Sequence, residues 1–320
     1  MDKTDQAETV VSQVFVENEK AEAPQKNLLD RVGVLLALLE IYVAWGSGYL
    51  GVRLALESIP VFLMSGIRFI LAGGILYGYL RARRVPNPCK AEWVGAAIVG
   101  LLLPGMGSGG VAFAEQWIAT GLAAVALGAV PLWIALFIGF TGDWPTQLEW
   151  LGLLLGFAGI VLLNLEHGMW ATPIGAIALV LVPICWALGS ALSTRLRLRL
   201  PVGLMGDAAQ MLVAGVALLI VGLLLHEQVP HHLPTPRSLV ALAYLIVFAS
   251  LVAYPAYGYL LRKVRPALAT SYAYVNPAVA LLLGVVLAGE HVTLIGVLAM
   301  IVILTGVALV SLGKGRRSGD

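Results

Sequence analysis

Charged residues are scarce in this chain of 320 residues. They make up 12% of it, whereas ordinary soluble domains carry about 25%. Hydrophobic residues account for 59% and come in long, repeated runs. This composition excludes the pair of soluble domains that the length alone would allow. It predicts an all-α polytopic protein of the lipid bilayer. The net charge of +2 gives no reason to expect a nucleic-acid partner.

Motifs for catalysis and for cofactor binding are also missing. The chain has no Gly-x-x-x-x-Gly-Lys-[Ser/Thr] loop, so no ATP-driven pump is indicated. It has neither His-Glu-x-x-His nor Gly-x-Ser-x-Gly. Its two cysteines, Cys89 and Cys185, suggest no disulfide framework and lack the spacing of metal ligands. We therefore predict no enzyme activity, no metal and no cofactor.

The apolar runs predict ten transmembrane helices, because each run has about the 20 residues that a bilayer core requires. The flanking segments are polar, so we interpret residues 1–30 as a mobile cytoplasmic tail and 313–320 as a basic cytoplasmic tail. The predicted spans are approximately 32–52, 60–80, 93–113, 119–140, 147–165, 173–193, 204–225, 238–260, 267–288 and 292–312.

Basic residues lie almost entirely on one side of the predicted membrane. With the amino terminus inside, seventeen of the twenty lysines and arginines fall in inside segments, and only Arg53 and Arg237 fall in outside loops. Cytoplasmic loops carry such an excess of positive charge. The distribution predicts a multi-pass membrane protein with both termini in the cytoplasm.

Similar residues recur at a nearly constant distance along the chain. Trp45 precedes Trp186 by 141 positions, Arg68 precedes Gln210 by 142, and Pro131 precedes Pro277 by 146. A fixed offset indicates an internal duplication, here residues 31–166 and 173–312 with five helices each. Because each copy crosses the membrane an odd number of times, the second copy is inverted in the membrane relative to the first. Inverted repeats of this kind are a recurring transporter architecture, with the substrate site between the halves.

Two prolines within apolar runs predict broken helices. Pro131 and Pro277 each remove a backbone hydrogen bond, and in lipid the freed carbonyl must face protein or a wet cavity. Asn276 directly precedes Pro277 in mid-span, where an unpaired amide would be costly. We expect this side chain either to bind substrate or to cap the bend.

Small residues spaced four apart predict close contacts between helices. The pattern occurs at Gly74-x-x-x-Gly78, at Gly105-x-x-x-Gly109 and at Gly152-x-x-x-Gly156. We interpret these three as packing motifs and assign them no function.

Four stretches carry a family likeness. They are Trp45-Gly-Ser-Gly-Tyr, Gly66-Ile-Arg-Phe69, Gly121-Leu-Ala-Ala-Val to Pro131, and Pro266-Ala-Leu-Ala-Thr-Ser-Tyr-Ala-Tyr-Val-Asn-Pro277 with Gly289-Glu290. With the five-plus-five inverted halves, they resemble the EamA-type transporters of the drug/metabolite transporter superfamily, and most of all its YedA-type bacterial inner-membrane exporters. The resemblance implies ten helices, cytoplasmic termini, and export of amino acids, metabolites or drugs from a central cavity.

Aromatic residues in the spans suggest the wall of that cavity. Trp45 and Trp186 occupy equivalent places in the two halves, and Tyr42, Tyr272 and Tyr254 add hydroxyl groups that need partners in hydrocarbon. Such a wall suits amphipathic or aromatic solutes, and cations through the ring faces. For each ring taken singly, ordinary packing in the bundle core is the alternative. We expect helices 1, 3, 4, 6, 8 and 9 to line the site.

Each of three charged residues within or beside the spans has two possible roles. Glu40 is a candidate for proton coupling or for binding a substrate ammonium, or it is a carboxylate that reaches the interface. Arg68 could hold an anionic substrate group, but we favour a structural charge that satisfies helix-end carbonyls or pairs with Glu57 or Glu115. Glu115 closes the third span as a gate or mouth ligand, or as a solvated helix end.

The function that these features predict is secondary transport. We expect export of small organic solutes across the cytoplasmic membrane by alternating access, from a central aromatic-lined cavity. The alternative is a membrane-embedded sensor or an uptake carrier for a small metabolite. Protons are one candidate for the coupling ion, and the sequence is compatible with a monomer or a homodimer.

Overall fold

The computed structural model of this protein describes residues 30–117, 126–164, 172–194, 198–228, 233–279 and 293–312. In these ranges every regular element is a helix. Apart from Asp30, the two predicted tails lie outside them. In chain order the helices are α1 (Asp30–Leu56), α2 (Val61–Ala82), α3 (Lys90–Ala114), α4 (Ala126–Gly139), α5 (Gln147–Asn164), α6 (Pro173–Thr194), α7 (Leu204–Leu224), α8 (Pro236–Lys263), α9 (Pro266–Ala269, then 272–279) and α10 (Leu294–Leu312).

Seven helices of the described ranges are long and apolar enough to cross a membrane, namely α1, α2, α3, α6, α7, α8 and α10. Helices α4 and α5 are shorter but apolar, and the described part of α9 ends at residue 279. The prediction of an all-helical, multi-pass membrane protein is confirmed. The arrangement as ten spans in two inverted repeats stays a prediction.

The outer helix faces are apolar, as lipid contact requires. On α10 the side chains of Leu298, Ile301 and Leu304 are exposed, whereas Ala299 and Ile303 are completely buried. Because a helix repeats every 3.6 residues, these two sets lie on opposite sides of α10. A stripe of exposed leucine and isoleucine would favour aggregation in water, so this face of α10 is suited to the hydrocarbon of a bilayer.

The most extensive contacts join helices that hold the same place in the two predicted halves. Helix α2 packs along α7, and α5 packs along α10. Helix α1 packs on α8, and α6 packs on α3. A rotation that exchanges α1–α5 with α6–α10 would map the first two pairs onto themselves and α1–α8 onto α6–α3. These contacts agree with the duplication that the sequence predicts.

Glycines bring two of these pairs within backbone contact. Gly66 on α2 faces Gly215 on α7, and a Cβ atom on Gly306 of α10 would lie 2.6 Å from the backbone nitrogen of Gly156 on α5. The prediction of close packing therefore holds for the motif that ends at Gly156. It is wrong for the motif that begins at Gly74, since a Cβ atom there meets only open space.

Helices α3 and α8 each contain a π-helical segment. The segments are Leu101–Gly109, with Pro104 inside it, and Leu245–Val252. They begin 144 positions apart, close to the offset of the sequence repeat. A π-helical stretch widens the turn and often accompanies a functional site. Both segments contribute residues to the central cavity of the protein.

Candidate functional site

A cavity lies at the centre of the helix bundle. Its empty volume is about 770 Å³, including the part that opens to solvent. All six predicted helices line it, and α2 does so as well, which the sequence did not indicate. The wall is mainly apolar and aromatic, as in most small-molecule sites. Its polar and aromatic residues are Trp45, Tyr49, Arg68, Phe69, Ser108, Glu115, Trp186, Tyr254, Tyr272 and Asn276.

Four aromatic rings from four helices pack together at this cavity, and three of them, Trp45, Trp186 and Tyr272, form its floor. Trp45 of α1 meets Trp186 of α6 in a T-shaped contact, with ring centroids 5.5 Å apart. Tyr272 of α9 lies 4.7 Å from Trp45, and Tyr257 of α8 contacts all three rings. Edge-to-face contacts of this kind add stability beyond area burial. The predicted equivalence of the two tryptophans becomes a direct contact between the two halves.

The π segment of α8 holds two wall residues in place. The indole nitrogen of Trp45 donates a hydrogen bond to the carbonyl oxygen of Ala249 at 3.0 Å, and Nε of Arg68 donates to Oγ of Ser250 at 2.7 Å. On the other side, Trp186 packs directly on Gly107 in the π segment of α3, where a Cβ atom would enter the indole ring. Each tryptophan therefore rests on the π segment of the opposite half.

Helix α9 is interrupted at Thr270 and Ser271. The hydroxyl groups of Tyr42 and Ser271 are 2.6 Å apart, which ties α1 to this break. Pro277 lies further along, in the helical stretch 272–279. The break therefore precedes Pro277. In α4 the turn is at Ala129, and Pro131 stands in the first turn of Val130–Gly139.

Asn276 places a polar group against the cavity. Its residue is 2% exposed, and its Oδ1 atom has no hydrogen-bond partner among the described residues. A buried carbonyl oxygen without a partner is costly. An N–H or O–H donor on a ligand in the cavity would satisfy it. Tyr272 and Asn276 are four residues apart on α9, so they share the helix face that lines the cavity.

Arg68 is buried in the cavity wall at 6% exposure. Its guanidinium carbon lies 4.8 Å from the ring centroid of Phe69. The predicted ion pairs of Arg68 are wrong for both named partners. Glu57 pairs instead with Arg237 at 3.7 Å, and no ion pair joins Arg68 to Glu115 in the described part of the chain.

Glu115 follows the last residue of α3 and lines the same cavity. Its Oε1 atom is buried and has no hydrogen-bond partner within the described ranges. Burial raises the pKa of this carboxyl group to about 8, and the positive charge of Arg53 partly opposes the rise. Burial therefore favours the neutral form of the Glu115 side chain.

Two predicted binding residues do not line the central cavity. Glu40 is half-buried on α1, and its Oε1 atom has no hydrogen-bond partner among the described residues. Tyr42 packs against the buried core and reaches Ser271. The structure brings Trp45, Trp186, Tyr254, Tyr272 and Asn276 together at one wall and leaves these two outside it.

A second cavity lies at the ends of α6, α7 and α8 that carry Thr194, Gly206 and Arg262. Its empty volume is about 650 Å³, open solvent included. Asp207 lies buried in its wall, with Nη2 of Arg262 at 3.8 Å. Tyr254 lines both cavities, and its hydroxyl donates to Oε1 of Gln210 at 2.6 Å. The Tyr254 ring therefore belongs to the walls of both cavities, and Tyr257 of the aromatic cluster lines the second one.

Two wall residues escaped the sequence argument although the sequence holds a signal for each. Tyr49 comes four residues after Trp45, which places both on one helix face. Ser108 precedes Ser250 by 142 positions, the same offset that relates Arg68 to Gln210. For metals, the described residues contain no group of three histidine, cysteine, aspartate or glutamate side chains that could hold an ion.

Comparison with known families agrees with this architecture. The EamA-like transporter family matches residues 31–165 and again residues 173–312. The chain belongs to this family. It is accordingly a transporter with several membrane-spanning helices, and it falls in the superfamily that the sequence motifs indicated.

Relatives of this EamA-family transporter come from bacteria and a plant. The chain is 43% identical to the uncharacterized inner membrane transporter YedA of Escherichia coli, over 90% of this chain and 93% of YedA. It is 20% identical to the uncharacterized transporter YoaV of Bacillus subtilis, over 89% and 99%. It is 24% identical to a WAT1-related chloroplastic protein of Arabidopsis thaliana, over 87% and 69%.

A solved crystal structure shares the fold. It superposes with a TM-score of 0.72 and covers 89% of this chain and 99% of its own, at 22% sequence identity. At that identity the likeness concerns the course of the helices alone.

Proposed function

We propose that this EamA-family transporter is a secondary carrier that exports small organic solutes by alternating access. The observation that carries the proposal is the central cavity, because its floor is the contact between Trp45 and Trp186, one from each half. A solute bound there touches both halves at once. Binding and release can then be coupled to a movement of one half against the other.

Two further features support alternating access. Tyr254 lies in the walls of both the central cavity and the second cavity, so a solute that passed from one to the other would meet this ring. The contacts of α2 with α7 and of α5 with α10 join helices at the same place in the two predicted halves. This pairing supports an arrangement as inverted repeats. We propose that the ten spans form two such repeats with both termini in the cytoplasm, that Glu115 acts at the mouth of the central cavity, and that protons couple through Glu40.

The test is metabolite profiling of the medium around cells that express the protein. We compare the native protein with an Asn276→Ala, Trp186→Ala double variant at equal membrane levels. A solute enriched outside only with the native protein is the expected result. Trp144→Ala is the matched control, because Trp144 is 50% exposed and lies outside the cavity wall; it should export like the native protein.

Other results would change the proposal in defined ways. Equal enrichment with the double variant would keep export and reject the proposed site. Depletion of a solute from the medium would indicate an uptake carrier instead. No change with correctly inserted protein would contradict transport under these conditions and favour a membrane-embedded sensor.

A further inference from the structure

The terminal nitrogens of Arg68 have no hydrogen-bond or ion-pair partner among the described residues. A guanidinium has five N–H donors, and the described residues supply one hydrogen bond, from Nε to Ser250. No acidic side chain of the described ranges forms an ion pair with Arg68. A cation at this depth is costly unless it finds a partner. The N–H groups on Nη1 and Nη2 therefore remain available to whatever occupies the cavity.

The wall contains one basic side chain that no described acidic side chain pairs with. Among its described residues, Arg68 is the one basic side chain and Glu115 is the one acidic side chain. Glu115 forms no ion pair with Arg68 in the described ranges, and burial favours the neutral form of its carboxyl group by raising the pKa. Glu115 thus offsets little of the charge of Arg68. A bound anion would neutralise it.

We infer that the central cavity is a site for an organic carboxylate, which the two terminal nitrogens of Arg68 bind. The inference rests on the proposed function and deepens it by giving the class of solute. Ser250 and the ring of Phe69 fix the guanidinium from the Nε side and the face. The opposite edge of the guanidinium, formed by Nη1 and Nη2, can donate two parallel hydrogen bonds to the two oxygens of a carboxylate.

The rest of the wall defines the body of this solute. Trp45, Tyr272 and Trp186 offer aromatic surface in the same cavity as Arg68, so an aromatic or aliphatic body fits. A phosphate monoester carries nearly two charges at neutral pH, and a single guanidinium would leave part of that charge buried without a partner. The site therefore favours a monoanion.

The experiment measures binding of three probes that share one benzene ring and differ in charge. They are 3-phenylpropionate, 3-phenylpropanol and 2-phenylethylamine, titrated by calorimetry into the full-length protein in lipid nanodiscs at neutral pH. We expect 3-phenylpropionate to bind at least about tenfold more tightly than the alcohol, because hydrogen bonds to a charged group are strong. The amine should bind more weakly than the alcohol.

The variants locate the effect. Arg68→Gln should bind the acid and the alcohol equally, and its unchanged affinity for the alcohol shows that the cavity is still formed. Arg68→Lys keeps the positive charge but loses the two parallel N–H donors. Its preference for the acid over the alcohol should lie between those of the native protein and Arg68→Gln. Arg237→Gln is the matched control: it removes an exposed arginine on α8, outside the cavity wall, and should behave like the native protein.

The ranking of probes by the native protein decides the inference even if the Arg68→Gln variant does not fold. It is overturned if the native protein binds the amine or the alcohol as tightly as the acid, or binds none of the three. Transport measured in proteoliposomes distinguishes failure of the carboxylate-site inference from failure of the proposed function. Arg68-dependent binding of the acid without transport contradicts the carrier and keeps the site; transport of the amine in preference to the acid keeps the carrier and contradicts the site.

Discussion

The hydroxyl pair Tyr42–Ser271 fastens α1 to the break in α9. We expect Tyr42→Phe to lower the free energy of unfolding by about 1 kcal/mol, the usual net value of one hydrogen bond. Ser271→Ala should lower it by more, because the Ser271 hydroxyl also donates to the carbonyl oxygen of Leu268. The double variant should lose no more than the larger single loss, because both changes remove the same bond. Apparent melting temperatures in detergent would show this.

The contrary result for that pair is full additivity. If the losses from the two single changes simply sum in the double variant, the two hydroxyl groups act independently. Tyr42 would then stabilise α1 by packing alone.

Glu40 lies on α1 outside the cavity wall, and proton coupling through it is a proposal with a direct test. Glu40→Gln should abolish accumulation driven by a pH gradient and leave solute-for-solute exchange intact, because exchange needs no net proton movement. Both are measured in proteoliposomes. Glu57→Gln serves as the control, since Glu57 is a surface carboxylate paired with Arg237. An unchanged pH-gradient response in Glu40→Gln would remove Glu40 from the coupling path.

At the scale of helices, glycine contacts set the distance between α5 and α10. A side chain at Gly306 would meet the backbone of Gly156 at 2.6 Å and that of Gly152 at 2.7 Å, and backbone atoms cannot move aside. We expect Gly306→Val to lower the free energy of unfolding by about 1–3 kcal/mol through overpacking. The measurement is the apparent melting temperature and the yield of monodisperse protein.

The same change at Gly74 is the control, because a Cβ atom there has nothing within 4 Å. Gly74→Val should melt close to the native protein. Equal losses for both variants would mean that valine in a membrane helix is costly by itself, and that the α5–α10 contact tolerates the added side chain.

The helices could be predicted from the sequence, whereas some of the contacts between them could not. Runs of apolar residues predicted nearly every helix, since length and hydropathy decide what lipid accepts. The break in α9 was placed at Pro277 because a proline is visible in a sequence, whereas the turn at Thr270 and Ser271 depends on neighbouring helices. The π segments had no clear sequence signal, so the partners of Trp45 and Arg68 could not be foreseen.

Partners of charged residues were the least predictable part of the candidate site. Arg68 and Glu57 were paired by charge and depth alone, but Glu57 faces Arg237 across the start of α8. Depth in a span says little about direction around the helix axis. The aromatic wall was easier, because the repeat placed Trp45 and Trp186 at equivalent positions and inverted repeats meet at their interface.

At the scale of the whole molecule, the orientation in the membrane can be measured with a native cysteine. Cys89 is exposed in the connection between α2 and α3, which we predict to be cytoplasmic. In a Cys185→Ser variant, a membrane-impermeant maleimide should label Cys89 only after spheroplasts are opened. The readout is a mass shift of the protein.

The matched control carries the label on the opposite side. Arg237→Cys in a chain whose two native cysteines are replaced by serine should react in intact spheroplasts, since Arg237 is exposed and predicted to face outwards. Labelling of Cys89 before opening, together with protection at position 237, would invert the predicted orientation.

The wall formed by Tyr254 has a consequence for the energy balance of a cell. An inner membrane stores energy as an ion gradient, so any protein that crosses it must not leak. Here the Tyr254 ring, held by its hydrogen bond to Gln210, is part of the walls of both cavities. We expect loss of that ring to weaken the barrier between the two cavities, so that ions leak through the protein and the membrane potential falls.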